Sequence, residues 1–369
     1  MNEASMTRRE MLRSVAAGTA VTALPVPALA QDTTKEIAVA LVGGAHIHTP
    51  QYVEAMRRTQ GIKAKYAWDS DTVRAKRRAG ELKCQAVEDL QVIWNDPEIA
   101  AVVICSETTQ HHDLVLAAAR AKKHMFVEKP LGSTAKESFA MATAINSANL
   151  LFTTGYFMRT MREHLFLKEQ IALGNFGKIT RVRGSNCHSG SLGGWFDGEY
   201  RWMADPKIAG VGAFGDLGTH SLDILMWLIG DIASVTADIK IVTNHYPNCD
   251  ESGEALLKFQ NGVTGTLAAG WVDVDNPVTL EISGTQGFAS IIKGQLFYRS
   301  QKVKGANGSK PWNEFPSTPP PPIHQFFDAL AGKAHDSLVK PSEAAARVAV
   351  MEAAYKGART QSWVKVTQR

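Results

Sequence analysis

A lysine, an aspartate and a histidine stand where they could move a proton and stabilise charge on an oxygen atom. Lys129 follows a short apolar segment, and Pro130 restricts its backbone to an extended conformation. A lysine fixed at a strand end can stabilise an alkoxide that develops on a substrate. Asp216 and His220 are four residues apart in a glycine-rich segment, so a helix would place both on one face. Because histidine changes protonation near neutral pH, this pair could act in acid–base chemistry.

Each of these residues also has a structural interpretation. Lys129 could be an exposed lysine in a turn. Asp216 could cap a helix whose later turn carries His220 by chance. The three residues alone therefore leave both interpretations open.

A dinucleotide-binding turn is indicated between the first apolar strand and the helix after it. Gly43 fits the first position of the G-x-G-x-x-G fingerprint, but Ala45 and His48 occupy the second and third glycine positions. Asp69 ends the second strand, where a carboxylate can accept hydrogen bonds from a ribose diol and would favour NAD over NADP. Asp69 could also be a turn residue or a helix cap.

His46 and His48 form an H-x-H pair, and imidazoles at this spacing can bind zinc. A supporting cluster of glutamate, histidine and aspartate does not follow in the sequence. Further histidines are scattered, at positions 111, 112, 124, 164 and 188. The sequence therefore predicts no metal site.

Composition narrows the class of protein. Of the 369 residues, 44% are hydrophobic and 21% are charged, which suits a soluble globular protein and excludes intrinsic disorder. The formal net charge of +4 is too small to indicate a nucleic-acid partner. The densest basic tract, Arg74 to Arg78, is interpreted as a solvated helix face. The four cysteines show no metal-binding spacing and are expected to be mostly free, buried thiols.

Residues 1–30 are predicted to be an export signal. A charged segment over residues 7–13 precedes an apolar run from Val15 to Leu29, which ends in Ala-Leu-Ala and is too short to span a membrane. Arg8-Arg9 resembles a twin-arginine signal, although Met11 and Arg13 depart from its usual pattern. A general secretory signal is the alternative. Either route predicts an exported protein, periplasmic and free of the membrane once the signal is removed.

Residues 31–154 alternate between short apolar strands and helices, a pattern that predicts a doubly wound parallel sheet. The predicted strands are 37–42, 62–68, 100–105, 124–127 and 151–154, and the predicted helices are 50–59, 71–79, 112–121 and 134–148.

Residues 155–369 predict a second, α+β domain with a large, mostly antiparallel open sheet, which makes the whole chain an α/β protein. Its strands alternate more strongly and are joined by hairpin signals such as Asn261-Gly262. Strands are predicted at 179–184, 234–242, 254–259, 265–270 and 279–283. Helices are predicted at 163–173, from near His324, and from an N-cap at Ser342 to about Ala358.

Taken together, these segments resemble the Gfo/Idh/MocA family, named after glucose-fructose oxidoreductase and inositol dehydrogenase. The resemblance extends over nearly all of residues 36–369. It rests on the turn at Gly43, Asp69, Ser106 to His111, Glu128-Lys129-Pro130, Gly155 to Arg159, and Gly210 to Asp223.

The resemblance implies a Rossmann domain, a nicotinamide cofactor (NAD, with NADP as the alternative) and a sugar, glycoside or cyclitol substrate. His220 would take the hydroxyl proton, Lys129 would polarise the oxygen, and Asp216 would orient the substrate or His220. The implied cofactor contacts are Gly43, Gly44, Ala45, His46, Ile47, Asp69, Ser106, Glu107, Thr108, His111, Glu128, Lys129 and Arg159. The implied substrate contacts are Lys129, Tyr156, His188, Tyr200, Trp202, Asp216 and His220.

Two features of the sequence depart from the family pattern. The glycine fingerprint is degraded, and Ser106-Glu107-Thr108 replaces the usual Thr-Pro-Asn, so that Glu107 adds a negative charge near the expected cofactor. Family members are often dimers or tetramers, so a homo-oligomer is expected.

Export constrains the reaction, because free nicotinamide cofactor is scarce outside the cytoplasm. The enzyme would have to keep its cofactor and regenerate it in place. Oxidoreduction between two sugars meets this requirement, and so does an NAD-dependent cycle of oxidation, elimination and reduction that cleaves a glycoside. A non-catalytic sugar-binding protein on the same fold is a further alternative.

Overall fold

The computed structural model describes residues 36–333 and 337–367. The predicted export signal lies outside the described residues, so export stays a prediction. None of the helices in the described ranges is both long enough and apolar enough to cross a membrane.

The first sheet has six parallel strands in the order β3-β2-β1-β4-β5-β6, which is the doubly wound arrangement. Its strands are apolar because helices cover both faces. The strands are β1 Ile37–Val42, β2 Ile62–Trp68, β3 Gln85–Ala86, β4 Ile99–Ile104, β5 His124–Val127 and β6 Phe152–Thr154. The helices are α1 Thr49–Arg58, α2 Thr72–Leu82, α3 Gln91–Asn95, α4 His111–Arg120 and α5 Ala135–Ser147.

The second sheet has nine strands in the order β14-β13-β12-β11-β7-β10-β9-β8-β15, and among these neighbours only β7 and β10 run parallel. The strands are β7 Ile179–Cys187, β8 Ile232–Lys240, β9 Ser252–Phe259, β10 Thr264–Gly270, β11 Val278–Gly284, β12 Gly287–Ile292, β13 Gln295–Ser300, β14 Asn307–Pro311 and β15 Val364–Lys365. The remaining helices are α6 Arg162–Ala172, α7 Pro206–Ala209, α8 Ala213–Ile229, α9 Pro322–Leu330 and α10 Pro341–Thr360. The predicted fold class is confirmed.

Strands β12 to β15 were not predicted, and one helix start was wrong. Helix α10 begins at Pro341, so Ser342 lies inside the helix rather than at its N-cap. Lys340 is the N-cap, and its backbone N–H donates to the Glu343 side chain, 3.0 Å away. The fixed backbone angle of proline suits the first helical position, which places the N-cap two residues earlier than the serine suggested.

Helix α8, which carries Asp216 and His220, is fixed against the second sheet at close range. A side chain at Gly184 of β7 would come within 2.5 Å of Ser221, and one at Gly218 would come within 2.7 Å of Met351. The first turn of the helix is held by Asp250, whose Oδ2 accepts from the Phe214 N–H at 2.8 Å. These contacts leave the helix little room to move.

The last part of the chain returns to the first sheet. Ile323, Phe326 and Phe327 of α9 are buried in the same apolar cluster as Tyr52 and Phe126.

The outer face of the second sheet is where the family resemblance would place a partner subunit, and that association stays a prediction.

Replacing Gly43 by alanine tests how tightly the first strand–helix turn is built. Gly43 has φ +80°, and an added Cβ would lie 2.6 Å from the Ser106 backbone. Gly262 has φ +86° but nothing within 4 Å of an added Cβ. Both Gly→Ala changes cost about 1–2 kcal/mol for the left-handed backbone, and Gly43→Ala adds a steric cost of about 1–3 kcal/mol. Urea unfolding should show the larger loss for Gly43→Ala, and equal losses would contradict this packing.

Candidate active site

The carboxyl ends of β1, β4 and β5 meet at one edge of the first sheet and bring three predicted segments together. Gly43 follows β1, Ser106 follows β4, and Glu128 and Lys129 follow β5. Ligands of doubly wound sheets bind at this edge. The turn from Gly43 to His48 leads directly into helix α1, as a pyrophosphate-binding turn does.

The turn fits a dinucleotide phosphate. Ala45 and Ser106 are buried, and their backbone N–H groups donate to no group in the described ranges. Because a buried N–H group without an acceptor is costly, such groups suit a bound anion. Ile47 presents a third N–H group of the same kind at a half-buried position.

Asp69 lies beside this turn, as predicted for a ribose contact, but its carboxylate already has protein partners. Oδ2 accepts from the Gly44 N–H at 2.6 Å and from Arg74 Nε at 2.7 Å. A second Arg74 nitrogen lies 2.7 Å from Asp69 Oδ1 and 2.7 Å from Glu107. Arg74 therefore offsets the charge that Glu107 adds near the cofactor position.

The interpretation of residues 74–78 as a solvated face is wrong for two of its arginines. Arg74 is half-buried against Asp69, and Arg78 is 4% exposed. Arg78 donates to the Gly44 carbonyl at 3.3 Å and pairs with Glu81. Helical spacing alone could not show that this face packs against the turn.

Lys129 and Asp216 form an ion pair that joins the end of β5 in the first sheet to α8, the helix that packs on the second sheet. The distance from Lys129 Nζ to Asp216 Oδ1 is 2.6 Å, and Trp271 Nε1 donates to Asp216 Oδ2 at 3.3 Å. Lys129 is buried, and 14% of the Asp216 side chain is exposed. Burial acts to raise the pKa of Asp216, but the Lys129 charge and hydrogen bond outweigh it and lower the pKa to about 2.

His220 lies one helical turn from Asp216 and is buried among aromatic rings. Its ring centroid is 5.1 Å from Phe157, 6.2 Å from Tyr156 and 6.5 Å from His48. Its Nδ1 has no hydrogen-bond partner within the described residues, so Asp216 orients Lys129 rather than this ring. Burial, followed by the Lys129 charge, holds the pKa of His220 well below its usual range, which keeps the imidazole neutral.

Glu128 accepts hydrogen bonds from residues of the glycine turn and of α1. His48 Nδ1 lies 2.6 Å and Tyr52 Oη 2.8 Å from Glu128 Oε1, and the Lys129 N–H donates to Oε2. Burial acts to raise the pKa of Glu128, but the neighbouring His46 and His48, together with the hydrogen bond to His48, hold it well below its usual range. Burial lowers the pKa of His46 to about 3.

A loop of the second domain covers the glycine turn. Trp202 Nε1 donates to the Ala45 carbonyl at 3.1 Å, and the Trp202 ring is 6.0 Å from His46. Glu199 in the same loop pairs with Arg77 and Arg78 of α2. The turn is therefore enclosed from the side that faces the second domain.

The other predicted site residues lie in three places: near His220 or in the second domain's loop, beside the end of β4, and at the edge of the second domain's core. Tyr156 borders His220 and hydrogen-bonds Thr219 at 2.9 Å, while His188 stacks near Trp195, and its pKa is lowered by burial. His111 contacts the carbonyl groups of Ser106, Pro130 and Leu131, and Thr108 is buried beside it. Tyr200 packs at the edge of the second domain's core.

Arg159 has protein partners of its own, and its predicted cofactor contact stays a prediction. Its guanidinium binds Asp223 at 2.6 and 2.8 Å and Glu343 at 3.2 Å, and Arg347 joins the same carboxylates. Asp223 lies on α8, whereas Glu343 and Arg347 lie on α10, and none of the three is a predicted cofactor contact. Arg159 thus stabilises the packing of α8 and α10, because a buried Asp223 needs compensating charge.

Fold and site together define a two-domain Rossmann oxidoreductase with a lysine–aspartate–histidine centre between a nucleotide turn and an antiparallel sheet. Residues 37–156 match the sequence model of an oxidoreductase family with an NAD-binding Rossmann fold. Residues 164–290 match the GFO/IDH/MocA C-terminal domain. The two ranges together cover more than half of the chain, and the chain belongs to the GFO/IDH/MocA family. Its N-terminal domain is an NAD-binding domain, which confirms the predicted cofactor.

Several dehydrogenases of sugars and cyclitols are similar to this chain. The levoglucosan dehydrogenase of Pseudarthrobacter phenanthrenivorans is 28% identical over 226 residues, which are 55% of this chain and 57% of that protein. The scyllo-inositol 2-dehydrogenase (NAD(+)) of Bacillus subtilis is 29% identical over 244 residues, 64% of this chain and 67% of that protein. The match with the first relative thus spans little more than half of its length.

A solved structure supports the fold over a longer range. A levoglucosan dehydrogenase in complex with NADH and levoglucosan superposes with a TM-score of 0.75 over 90% of this chain and 100% of that one. The sequence identity is 23%, so this likeness concerns the fold.

A His220→Asn variant tests whether the ring is held neutral. The unfolded histidine has a pKa of about 6.5, whereas the folded pKa is well below that value. Between these two values the unfolded state binds more protons, so stability is lost as the pH falls. The free energy of unfolding should drop less for His220→Asn than for the wild type between about pH 7.5 and about pH 5.

Urea unfolding at both pH values provides the measurement, and His112→Asn is the matched control because His112 lies near the surface beside Asp113. The control should keep the wild-type pH dependence. An equal drop in His220→Asn and wild type would show that His220 is not held neutral by the fold.

Proposed function

We propose that the protein is an NAD-dependent oxidoreductase that moves hydride between a sugar or cyclitol hydroxyl and a tightly held nicotinamide cofactor. The observation that carries the proposal is the buried Lys129–Asp216 pair beside a neutral His220. A fixed ammonium group can stabilise a developing alkoxide, and an uncharged imidazole can accept the proton of an alcohol that is being oxidised.

The residues that would hold NAD are those of the turn. The N–H groups of Ala45, Ile47 and Ser106 suit the pyrophosphate, and Asp69 with Arg74 lies where the adenosine ribose is expected. When bound there, NAD would supply the hydride acceptor.

The chain's own residues supply the proton chemistry. Lys129 donates to the substrate oxygen and stabilises its developing negative charge. His220 accepts the hydroxyl proton, for which a neutral ring with an unpartnered nitrogen is suited. Asp216 orients Lys129, and Trp271 fixes the second carboxylate oxygen of Asp216.

The substrate class is supported by the relatives and by the site. The similar proteins are named for levoglucosan and inositols, which are compact polyhydroxylated rings. Trp202, Tyr156 and His188 border the centre, and flat side chains of this kind stack on sugar faces.

Tight retention of the cofactor is supported by the cover over the turn. Trp202 is hydrogen-bonded to Ala45, and Glu199 is ion-paired to α2, so this loop must open before a nucleotide bound beneath it can leave. Slow release suits an enzyme that regenerates its cofactor in place.

Lys129→Ala tests the proposed catalytic role. The loss of a fixed donor to developing charge should lower sugar-dependent reduction of bound NAD by about 100- to 1000-fold. Nucleotide fluorescence at single turnover measures the rate, and mass spectrometry of denatured protein measures the bound nucleotide. Lys65→Ala is the matched control, because Lys65 also forms a lysine–aspartate pair, with Asp96 at 2.5 Å, on a different part of the sheet.

Each outcome distinguishes the functions under consideration. The proposed role of Lys129 holds if Lys129→Ala retains NAD but reduces it much more slowly, while Lys65→Ala behaves like the wild type. Unchanged hydride transfer in Lys129→Ala would contradict it. Nucleotide-free protein that binds sugar but not NAD would favour the non-catalytic sugar-binding function. Release of an aglycone without net reduction would favour the NAD-dependent glycoside-cleaving cycle.

We also propose export by the twin-arginine route, supported by Arg8-Arg9 and the apolar run that follows. A protein exported after folding would carry its cofactor with it. In cell fractionation, the wild type should be periplasmic, and an Arg8→Lys/Arg9→Lys double variant should stay in the cytoplasm. An Arg57→Lys/Arg58→Lys variant, which changes an adjacent arginine pair at the end of α1, should be exported like the wild type. Export of the Arg8/Arg9 variant would point to the general secretory route.

A further inference from the structure

We propose that His46, His48 and Glu128 bind a divalent transition-metal ion of the zinc class. The sequence prediction of no metal site rested on the lack of a third ligand near the H-x-H pair. The fold supplies Glu128, which is 80 residues away from His48 in the chain. The inference goes beyond hydride transfer and does not depend on it.

The distances suit one ion. Each of the three side chains offers one ligand atom, and these atoms lie within 4.8 Å of one another. His46 Nδ1 is 3.5 Å from Glu128 Oε1, and His48 Nδ1 is 2.6 Å from the same oxygen. Tetrahedral zinc with bonds of about 2.0–2.1 Å separates its ligand atoms by about 3.4 Å. The His46 distance already matches, although its Nδ1 must release the His48 backbone N–H, 3.2 Å away, to bind an ion. The His48 side chain is 29% exposed and has room to move back.

The charge balance also favours a cation. Glu128 is completely buried, and within the described residues its carboxylate forms no salt bridge with a lysine or arginine. The neighbouring Lys129 ammonium is already paired with Asp216. A buried carboxylate without a lysine or arginine partner is costly, and the two imidazoles beside it are cationic only when protonated. A metal ion would provide a permanent positive charge.

The donor set indicates the kind of site. Two imidazoles and one carboxylate are the ligands of catalytic rather than structural zinc, because three protein ligands leave a position open. Tyr52 and the Lys129 N–H hydrogen-bond the Glu128 oxygens and so orient this ligand from outside the ion's coordination shell. The His48 ring is 6.5 Å from His220, which places the ion beside the proposed hydroxyl site.

A shared proton between His48 and Glu128 would explain the 2.6 Å contact without a metal. The test must therefore distinguish a hydrogen-bonded pair from a metal site. Full-length protein is freed of metal with a chelator and titrated with Co²⁺, whose visible absorption reports nitrogen and oxygen ligands. We expect about one Co²⁺ per chain, displaced by Zn²⁺. Nucleotide content is measured in the same samples, so that loss of NAD and loss of metal are scored separately.

Three variants locate the site. His48→Ala should weaken Co²⁺ binding by more than about 100-fold, and Tyr52→Phe should weaken it by about 10- to 100-fold while leaving the ligands in place. His112→Ala is the matched control, because His112 also pairs with a carboxylate, Asp113, at 2.9 Å but near the surface. It should bind like the wild type.

The proposal is overturned if the wild type takes up no stoichiometric Co²⁺, or if His48→Ala binds as tightly as the wild type. Circular dichroism shows whether His48→Ala is folded, and His48→Gln, which keeps a hydrogen bond to Glu128, replaces it if not. Binding that is lost equally in His112→Ala would assign the metal to the surface and would also overturn the site.

Discussion

The buried ion pair between Lys129 and Asp216 is the constraint on which the rest of this structure depends. Lys129 ends a strand of the first sheet, whereas Asp216 belongs to the helix that packs on the second sheet. Removing two charges from water is costly, and their attraction repays the cost only when the geometry is good. The positions of both domains are therefore coupled to the geometry of one contact. The close approach of α8 to β7 and the Trp271 hydrogen bond both serve to hold that contact in place.

Much of the first domain could be predicted from the sequence, because its strands are continuous apolar runs bounded by turn residues. Strands β1, β2 and β5 begin and end where the pattern indicated. Strands β12 to β14 were missed for two reasons. Polar residues interrupt the apolar ones in β12 and β13, and β14, at the edge of the sheet, has no apolar run. Local pattern specifies buried strands better than edge strands.

For the site, the sequence identified residues but not their partners. Lys129, Asp216 and His220 do lie at one centre. The predicted partner of Asp216 is the substrate or His220, whereas the fold pairs Asp216 with Lys129. Arg74 and Arg78 were assigned to solvent, since helical spacing cannot show which face meets another element. Glu128 joins His46 and His48 only through the register of the parallel sheet, which brings distant strand ends together.

Because α9 packs on the first sheet, the first domain is not a single continuous segment of the chain. A cut at the start of the second domain would take Ile323, Phe326 and Phe327 away from the core that they share with Tyr52 and Phe126. The first domain is thus completed by residues made late in synthesis, after most of the second sheet. Grafting this nucleotide domain onto another substrate domain would require moving α9 as well, so such a fusion needs two junctions rather than one.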